Sequence, residues 1–255
     1  MMGLRSQKIS LWLCLVVTVG LSACSSLPVE ERTDNRDPFE DTNRKVFAFN
    51  MAADSYVLEP VASGYRTAVP DNVQQAVGNH LHWASLPSTA VNSTLQGKFE
   101  NAALAVIHFA INGLTLGLAD LTPEDDKPTR EDFGQTLAAA NVPEGAYIEV
   151  PLLGAHTTRS LSGRVVDFVL NPLSALEAGQ AGQTVQNAQL PVGAISFRAQ
   201  NFDAINDVKY NALDPYARAR SVYYQQRAGL LADRLPGEIV DDANDDAFSD
   251  FFGDS

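Results

Sequence analysis

The chain is 255 residues long, with a formal net charge of −13, a sequence pI near 4.6 and only two cysteines. So acidic a chain excludes nucleic-acid binding and electrostatic adhesion to anionic lipid, so any entry into a membrane must be driven by apolar surface. Cys14 and Cys24 both fall in the first 24 residues, which leaves the body without a thiol for a disulfide or a thiolate metal site.

Arg5 and Lys8 form a basic n-region, and residues 9–21 follow as an uncharged apolar run too short to span a bilayer. The run ends in Leu21-Ser22-Ala23-Cys24, the small-residue pattern of a lipobox. This predicts a lipoprotein signal peptide over residues 1–23 and acylation of Cys24 on its thiol and its new amino terminus. Several acyl chains, at ~0.8 kcal/mol per buried methylene, anchor a protein stably where one chain does not. The alternative is an ordinary secretory signal with a coincidental cysteine. Ser25 follows the cysteine in place of an aspartate that would argue for inner-membrane retention, which points to the periplasmic face of a bacterial outer membrane. Residues 24–36 are polar and aperiodic, as expected of a tether.

The body, residues 37–234, reads as one domain of short helices broken by proline and glycine. Pro70-Asp71 opens a segment in which Val73, Val77 and Leu81 recur at helical spacing. Residues 102–119 carry no charge and are just long enough to cross a bilayer, but Asn112-Gly113 interrupts them and His108 adds a polar group. Two readings fit: a buried core helix, or two short apolar pieces at membrane depth that meet near Asn112. On the second reading His108, Asn112, Gly113 and Gly117 are the candidate membrane-embedded or channel residues; the GxxxG spacing of the two glycines is weak evidence for close helix approach. Tyr147 to Leu153 is the best short strand. Thr157 or Thr158 caps a predicted helix carrying Leu161, Val165 and Phe168, which stops at Asn171-Pro172. Asp214-Pro215 starts another, with Tyr216, Ala219, Tyr223 and Leu230 on an apolar face and Arg218, Arg220 and Arg227 largely elsewhere. The fold class expected is all-α, or nearly so, with short irregular or extended segments. Residues 235–255 form an acidic tail in which Glu238, Asp241, Asp242, Asp245, Asp246, Asp250 and Asp254 meet no basic residue, and it reads as disordered. Phe248, Phe251 and Phe252 within it leave a short partner-binding motif open.

No catalytic constellation is present. The chain has neither a GxSxG elbow nor a P-loop, and Asp132-Phe133-Gly134 lacks the other kinase elements. His80 and His82 are spaced to point to different helix faces, without a carboxylate motif for a metal. The expectation is a protein that is not an enzyme, with no catalytic residues, no metal and no cofactor.

Asp37-Pro38-Phe39-Glu40 with Asn43-Arg44 and Phe47-Ala48-Phe49-Asn50 resembles the opening signature of the MlaA (VacJ) family of outer-membrane lipoproteins. Collinear matches follow at Gly64-Tyr65-Arg66, Val91-Asn92, Leu95-Gln96-Gly97, Ile111-Asn112, residues 132–137, Tyr147, Arg159, Gly163, Asp167 and Asp214-Pro215-Tyr216. The resemblance covers about residues 35–230. Several positions depart from the pattern: Asp41-Thr42 replaces a Gly-Phe-like pair, Trp83 stands near an expected Asn, and His108 stands where Arg is common. Ala138, Ala146 and Ser160 replace Gly, Pro and Asp.

The resemblance implies a single helical ring in the periplasmic leaflet of the outer membrane. It also implies an amphipathic channel that removes mislocalised phospholipid from the outer leaflet, a periplasmic MlaC-type lipid carrier that receives it, and a trimeric porin as companion. The alternative is a lipid-anchored structural or interaction lipoprotein without a lipid channel. A third reading is a periplasmic lipid hydrolase.

Overall fold

Helix α1 (Glu40–Ala53) begins with Glu40 and Asp41 in its first turn, where aligned peptide dipoles favour negative charge. It runs without interruption through a π-helical turn (Asp54–Leu58) into α2 (Glu59–Ala68). The wide turn comes just before Pro60, which has no N–H to give to a regular ladder. Pro70 starts α3 (Asp71–Leu95), and Gly97, at φ +78°, turns the chain back into α4 (Phe99–Asn112). A 3₁₀ turn (Gly113–Thr115) and an irregular stretch lead to α5 (Phe133–Ala139). The hairpin β1 (Tyr147–Val150) and β2 (Gly154–Thr157) pairs Tyr147 opposite Thr157, and α6 (Thr158–Leu170) follows directly. Then come α7 (Gly179–Gln200), α8 (Phe202–Asn206), a second π turn (Asp207–Asn211) and α9 (Pro215–Leu231). This computed structural model describes residues 33–123, 126–170 and 179–232. The predicted signal peptide, Cys24, most of the tether and the acidic tail lie outside the described residues.

Two sequence expectations need correction. The fold is mostly helical, but one antiparallel hairpin is part of it, and the sequence reading found only its first strand. Nor are all the helices short: α3 runs 25 residues through Pro87 and α7 runs 22 residues through Pro191. An interior proline removes one ladder bond and kinks a helix, but tertiary packing on both sides can hold the helix together. The predicted caps are present. Asp214 accepts from the Ala217 N–H, and Thr157 and Ser160 exchange hydrogen bonds, each N–H donating to the other's hydroxyl.

Pairwise packing runs in a circuit. The α3–α4 hairpin is the most extensive contact; α3 also meets α7 and α5, α7 meets α2, α5 meets α6, α6 meets β2, and β1 meets α1. The main apolar cluster is aromatic. Phe47 and Tyr147 meet Tyr216 edge-on at 5.6 and 6.1 Å, with Tyr223 and Tyr224 alongside. Around it most polar groups are engaged, the buried Tyr224 hydroxyl being an exception. Asn43 joins Asp37 (2.7 Å) and, with Asn50, hydrogen-bonds along β1, closing that strand's free edge. Arg220 Nη1 lies 2.5 Å from the fully buried Asp37 carboxylate, Tyr216 OH donates to the same carboxylate, and Arg44 spans Glu40 and Asp214. The expectation for α9 is thereby revised. Arg220 and Arg227 lie buried on the same side as Tyr216, because Asp37 and Asp132 wait there to pair with them; only Arg218 faces out.

Candidate membrane-facing site

Helix α4 is inside-out by the standard of a water-soluble helix. Its outward stripe is Phe99, Val106, Ile107 and Ile111, of which Phe99 is 69% and Val106 57% exposed, with one exposed charge, Glu100, in the first turn. Its inward stripe is Ala102, Ala105, His108 and Asn112, all buried. Single exposed apolar residues are ordinary, but a continuous apolar stripe over small and polar buried residues marks a surface made for a non-aqueous neighbour. None of the described helices is long and apolar enough to cross a membrane.

The inward polar groups hold the returning chain. Asn112 donates to Asp120 Oδ1 (3.1 Å) and accepts from the Leu121 N–H (2.8 Å). Thr122 gives its hydroxyl hydrogen to Asp120 (2.5 Å), so His108 Nδ1 must carry the hydrogen shared with Thr122 Oγ1 at 2.9 Å. Farther along, Asn101 exchanges hydrogen bonds with Thr129 (2.9 and 2.8 Å), and Lys98 pairs with the buried Glu131 (2.7 Å). Residues 98, 101, 108 and 112 thus form one helical stripe that holds the returning chain at residues 120–122, 129 and 131. Non-helical backbone shielded from water is tolerable only when its polar groups are satisfied by protein in this way.

Beyond Asn112 the chain makes a tight loop. Leu116 (φ 55°) and Gly117 (φ +74°) are both left-handed. The Gly117 N–H donates to Asn112 O (2.8 Å), and His80 Nδ1–H, reaching from α3, donates to Leu116 O (2.7 Å). Leu114 (82% exposed), Leu116, Leu118 and Leu121 all project outward, extending the apolar stripe of α4. Inside the loop Trp83 stacks on Phe109, centroids 5.0 Å apart and planes 4° from parallel, while its Nε1–H donates to Phe109 O (2.9 Å).

Of the four candidates proposed from sequence, His108 and Asn112 sit together on the inward stripe, and Gly113 and Gly117 flank the loop against Trp83. The requirement for glycine differs between the last two. Gly113 has helical φ (−60°), so it needs no special backbone freedom, whereas a Cβ on Gly117 would come within 2.4 Å of Trp83 Cβ. Sequence reading missed Trp83, Asp120 and Thr122 as members of this site. The polar spacing 98–101–108–112 was available as a signal.

A second polar cluster joins the two π turns. Asp54, from the first, receives Arg198 Nε (2.7 Å) and Lys209 Nζ (2.8 Å) of the second, and Lys209 also reaches Glu59 (2.7 Å). Burial pushes the Asp54 carboxyl up, but the Arg198 and Lys209 hydrogen bonds outweigh it and hold it below its ordinary range. Hydrogen bonds from Lys209 and Tyr210 hold Glu59 low as well. With every charge answered, this cluster is a brace. Among the described residues no group of three or more His, Cys, Asp or Glu side chains is placed to hold a metal ion.

Comparison with known proteins gives a consistent result. A family model described as MlaA lipoprotein matches residues 35–229. A protein of Rickettsia bellii is 33% identical over 75% of each chain. The intermembrane phospholipid transport system lipoproteins MlaA of Haemophilus influenzae and Escherichia coli are 28% and 27% identical, over 83% and 88% of this chain and 86% and 88% of theirs. A solved structure, described as the structural basis for maintenance of bacterial outer membrane lipid asymmetry, superposes with a TM-score of 0.67 at 29% identity. It covers 76% of this chain and 98% of that one.

Proposed function

Since the chain belongs to the MlaA lipoprotein family, we propose that it maintains outer-membrane lipid asymmetry by removing mislocalised phospholipid from the outer leaflet. In this reading Cys24 carries the lipid anchor and the helical body sits in the periplasmic leaflet. Phospholipid passes through an amphipathic channel to a periplasmic carrier of the MlaC type, with a trimeric porin alongside. The protein does not act as an enzyme, because the lipid is moved and not cleaved. The run from a misplaced to a preferred leaflet is downhill and needs no nucleotide.

The observation that carries the proposal is the inverted α4 with its leucine loop. A helix of 14 residues is ~21 Å long, against ~15 Å for half of a bilayer's hydrocarbon core, so it suits tilted residence in one leaflet and not a span. Beyond Glu100 in its first turn, the outward stripe is uncharged, which fits a chain whose net charge rules out electrostatic adhesion.

The test is genetic and biochemical together. Cells lacking the protein should accumulate phospholipid in the outer leaflet and lose their barrier to detergent. Mass spectrometry should find an acylated Cys24 at the mature terminus. Cleavage of phospholipid by the purified protein would favour a hydrolase. Membrane attachment that depends on the acyl chains alone, with unaltered lipid distribution on deletion, would favour an anchored interaction lipoprotein.

A further inference from the structure

We propose that Trp83 is the positioning residue of the leucine loop, holding residues 113–121 closed on α3 so that Leu114, Leu116, Leu118 and Leu121 present one apolar edge to a phospholipid bilayer. The assignment rests on the membrane seating argued above and specifies which side chain sets its shape. Four contacts converge on this indole. Its ring lies flat on Phe109, and its Nε1–H takes the second lone pair of Phe109 O, which already accepts from the Gly113 N–H. Its Cβ occupies the space that a side chain at Gly117 would need, and Gly113 lies against its edge, with an added Cβ 3.6 Å from Nε1. His80, one helical turn earlier on α3 and 5.6 Å from the indole ring, secures Leu116 O.

Thr115 Oγ1 on Ala119 and Asn112 on Asp120 and Leu121 pin the loop's far end, but the left-handed pair at residues 116–117 needs further support. Two successive left-handed residues, one of them a leucine, are unfavourable without outside support. The outward leucines contribute none, because they are more than half exposed. At that pair the support comes from α3: His80 holds Leu116 O and Trp83 packs against Gly117. Released from Trp83, the leucines around Leu116 would be free to turn back on the protein, and the apolar edge would be lost while the α3–α4 hairpin, held by Asn101 on Ser93 Oγ and the Lys98 N–H on Ser93 O, stayed folded.

The test uses the full-length chain, reconstituted in vesicles of phosphatidylethanolamine and phosphatidylglycerol that contain brominated phospholipid. The chain has two tryptophans, Trp12 and Trp83. In a Trp12→Phe, Trp83→Phe background, Leu118→Trp reports loop depth by bromine quenching; the reference is Trp12→Phe, Leu118→Trp with Trp83 retained, after subtraction of Trp83's own signal measured in Trp12→Phe alone. The expected result is strong quenching of the reference and at least a twofold loss of reporter quenching with Trp83→Phe. Thermal unfolding in detergent should shift by no more than a few degrees. Gly117→Ala, which displaces the indole, should reproduce the loss with Trp83 in place. Equal quenching with and without Trp83 overturns the assignment and leaves the seating intact. An unquenched reference overturns the assignment together with the seating. If Trp83→Phe unfolds the protein in detergent, Trp83 is a core residue and the assignment fails.

Discussion

Helices α4 and α9 bury similar things and expose opposite ones. Each turns polar side chains inward: His108 and Asn112 in α4, Arg220 and Arg227 in α9. Outside, α9 shows Arg218, Gln225 and Gln226 to water, whereas α4 shows Phe99, Val106, Ile107 and Ile111. Buried polarity therefore does not tell the two helices apart in this fold. The outer stripe does, since a helix must match the solvent it meets while its inner groups need only find partners.

The sharpest way to break the comparison is on the α9 side. Arg220→Met should cost about 3–5 kcal/mol of stability in detergent, because it strands the fully buried Asp37 carboxylate and weakens the hold on Glu40. Denaturant unfolding measures it; a loss below about 1 kcal/mol would show that the cluster tolerates an unpaired charge.

The matching experiment on α4 separates lipid from core. Ile107→Asp should leave detergent stability within about 0.5 kcal/mol, since the site is half exposed, yet cost about 2.5–3.5 kcal/mol of membrane partition. Vesicle co-flotation of a chain lacking its acyl chains reads this. Gln225→Asp on α9 should change neither quantity, and Ala105→Asp, on the inward stripe, should unfold the protein. Equal destabilisation by Ile107→Asp and Ala105→Asp would mean that α4 is an ordinary core helix.

The loop offers a smaller contrast. Gly117→Ala should cost about 1–3 kcal/mol, being both left-handed and against Trp83, while Gly113→Ala should be neutral or slightly stabilising at its helical φ. Limited proteolysis of residues 113–121 reports the difference.

The smallest effect is pH dependence at the π-turn brace. Asp54 and Glu59 have folded values held below their ordinary 3.8 and 4.5. Their contribution is therefore whole above about pH 4.5 and is lost as pH falls through the depressed values. Unfolding free energy should decline below about pH 4.5, and Asp54→Asn should flatten that decline. An unchanged slope would mean that other carboxylates carry it.

Much of the fold was legible because it is local. Asp214-Pro215 and Thr157 announce helix starts through their own capping chemistry, and Asn112-Gly113 marks the end of α4. The family motifs were legible as a pattern, but their work was not. Asp37, Asn43 and Asn50 lie far in sequence from β1 and from Arg220, and only the folded chain shows that they join α1, β1 and α9 into one polar clamp.

Periodicity misled where charge found a hidden partner. Arg220 and Arg227 read as surface residues because a lone arginine belongs in water, and their carboxylates lie more than ninety residues away. Composition and local spacing determined a mostly helical chain with an uncharged segment broken at Asn112. Which stripe of that segment faces outward was decided by tertiary structure alone. The returning chain from Asp120 to Glu131 takes up the polar side of α4, and the apolar side is what remains.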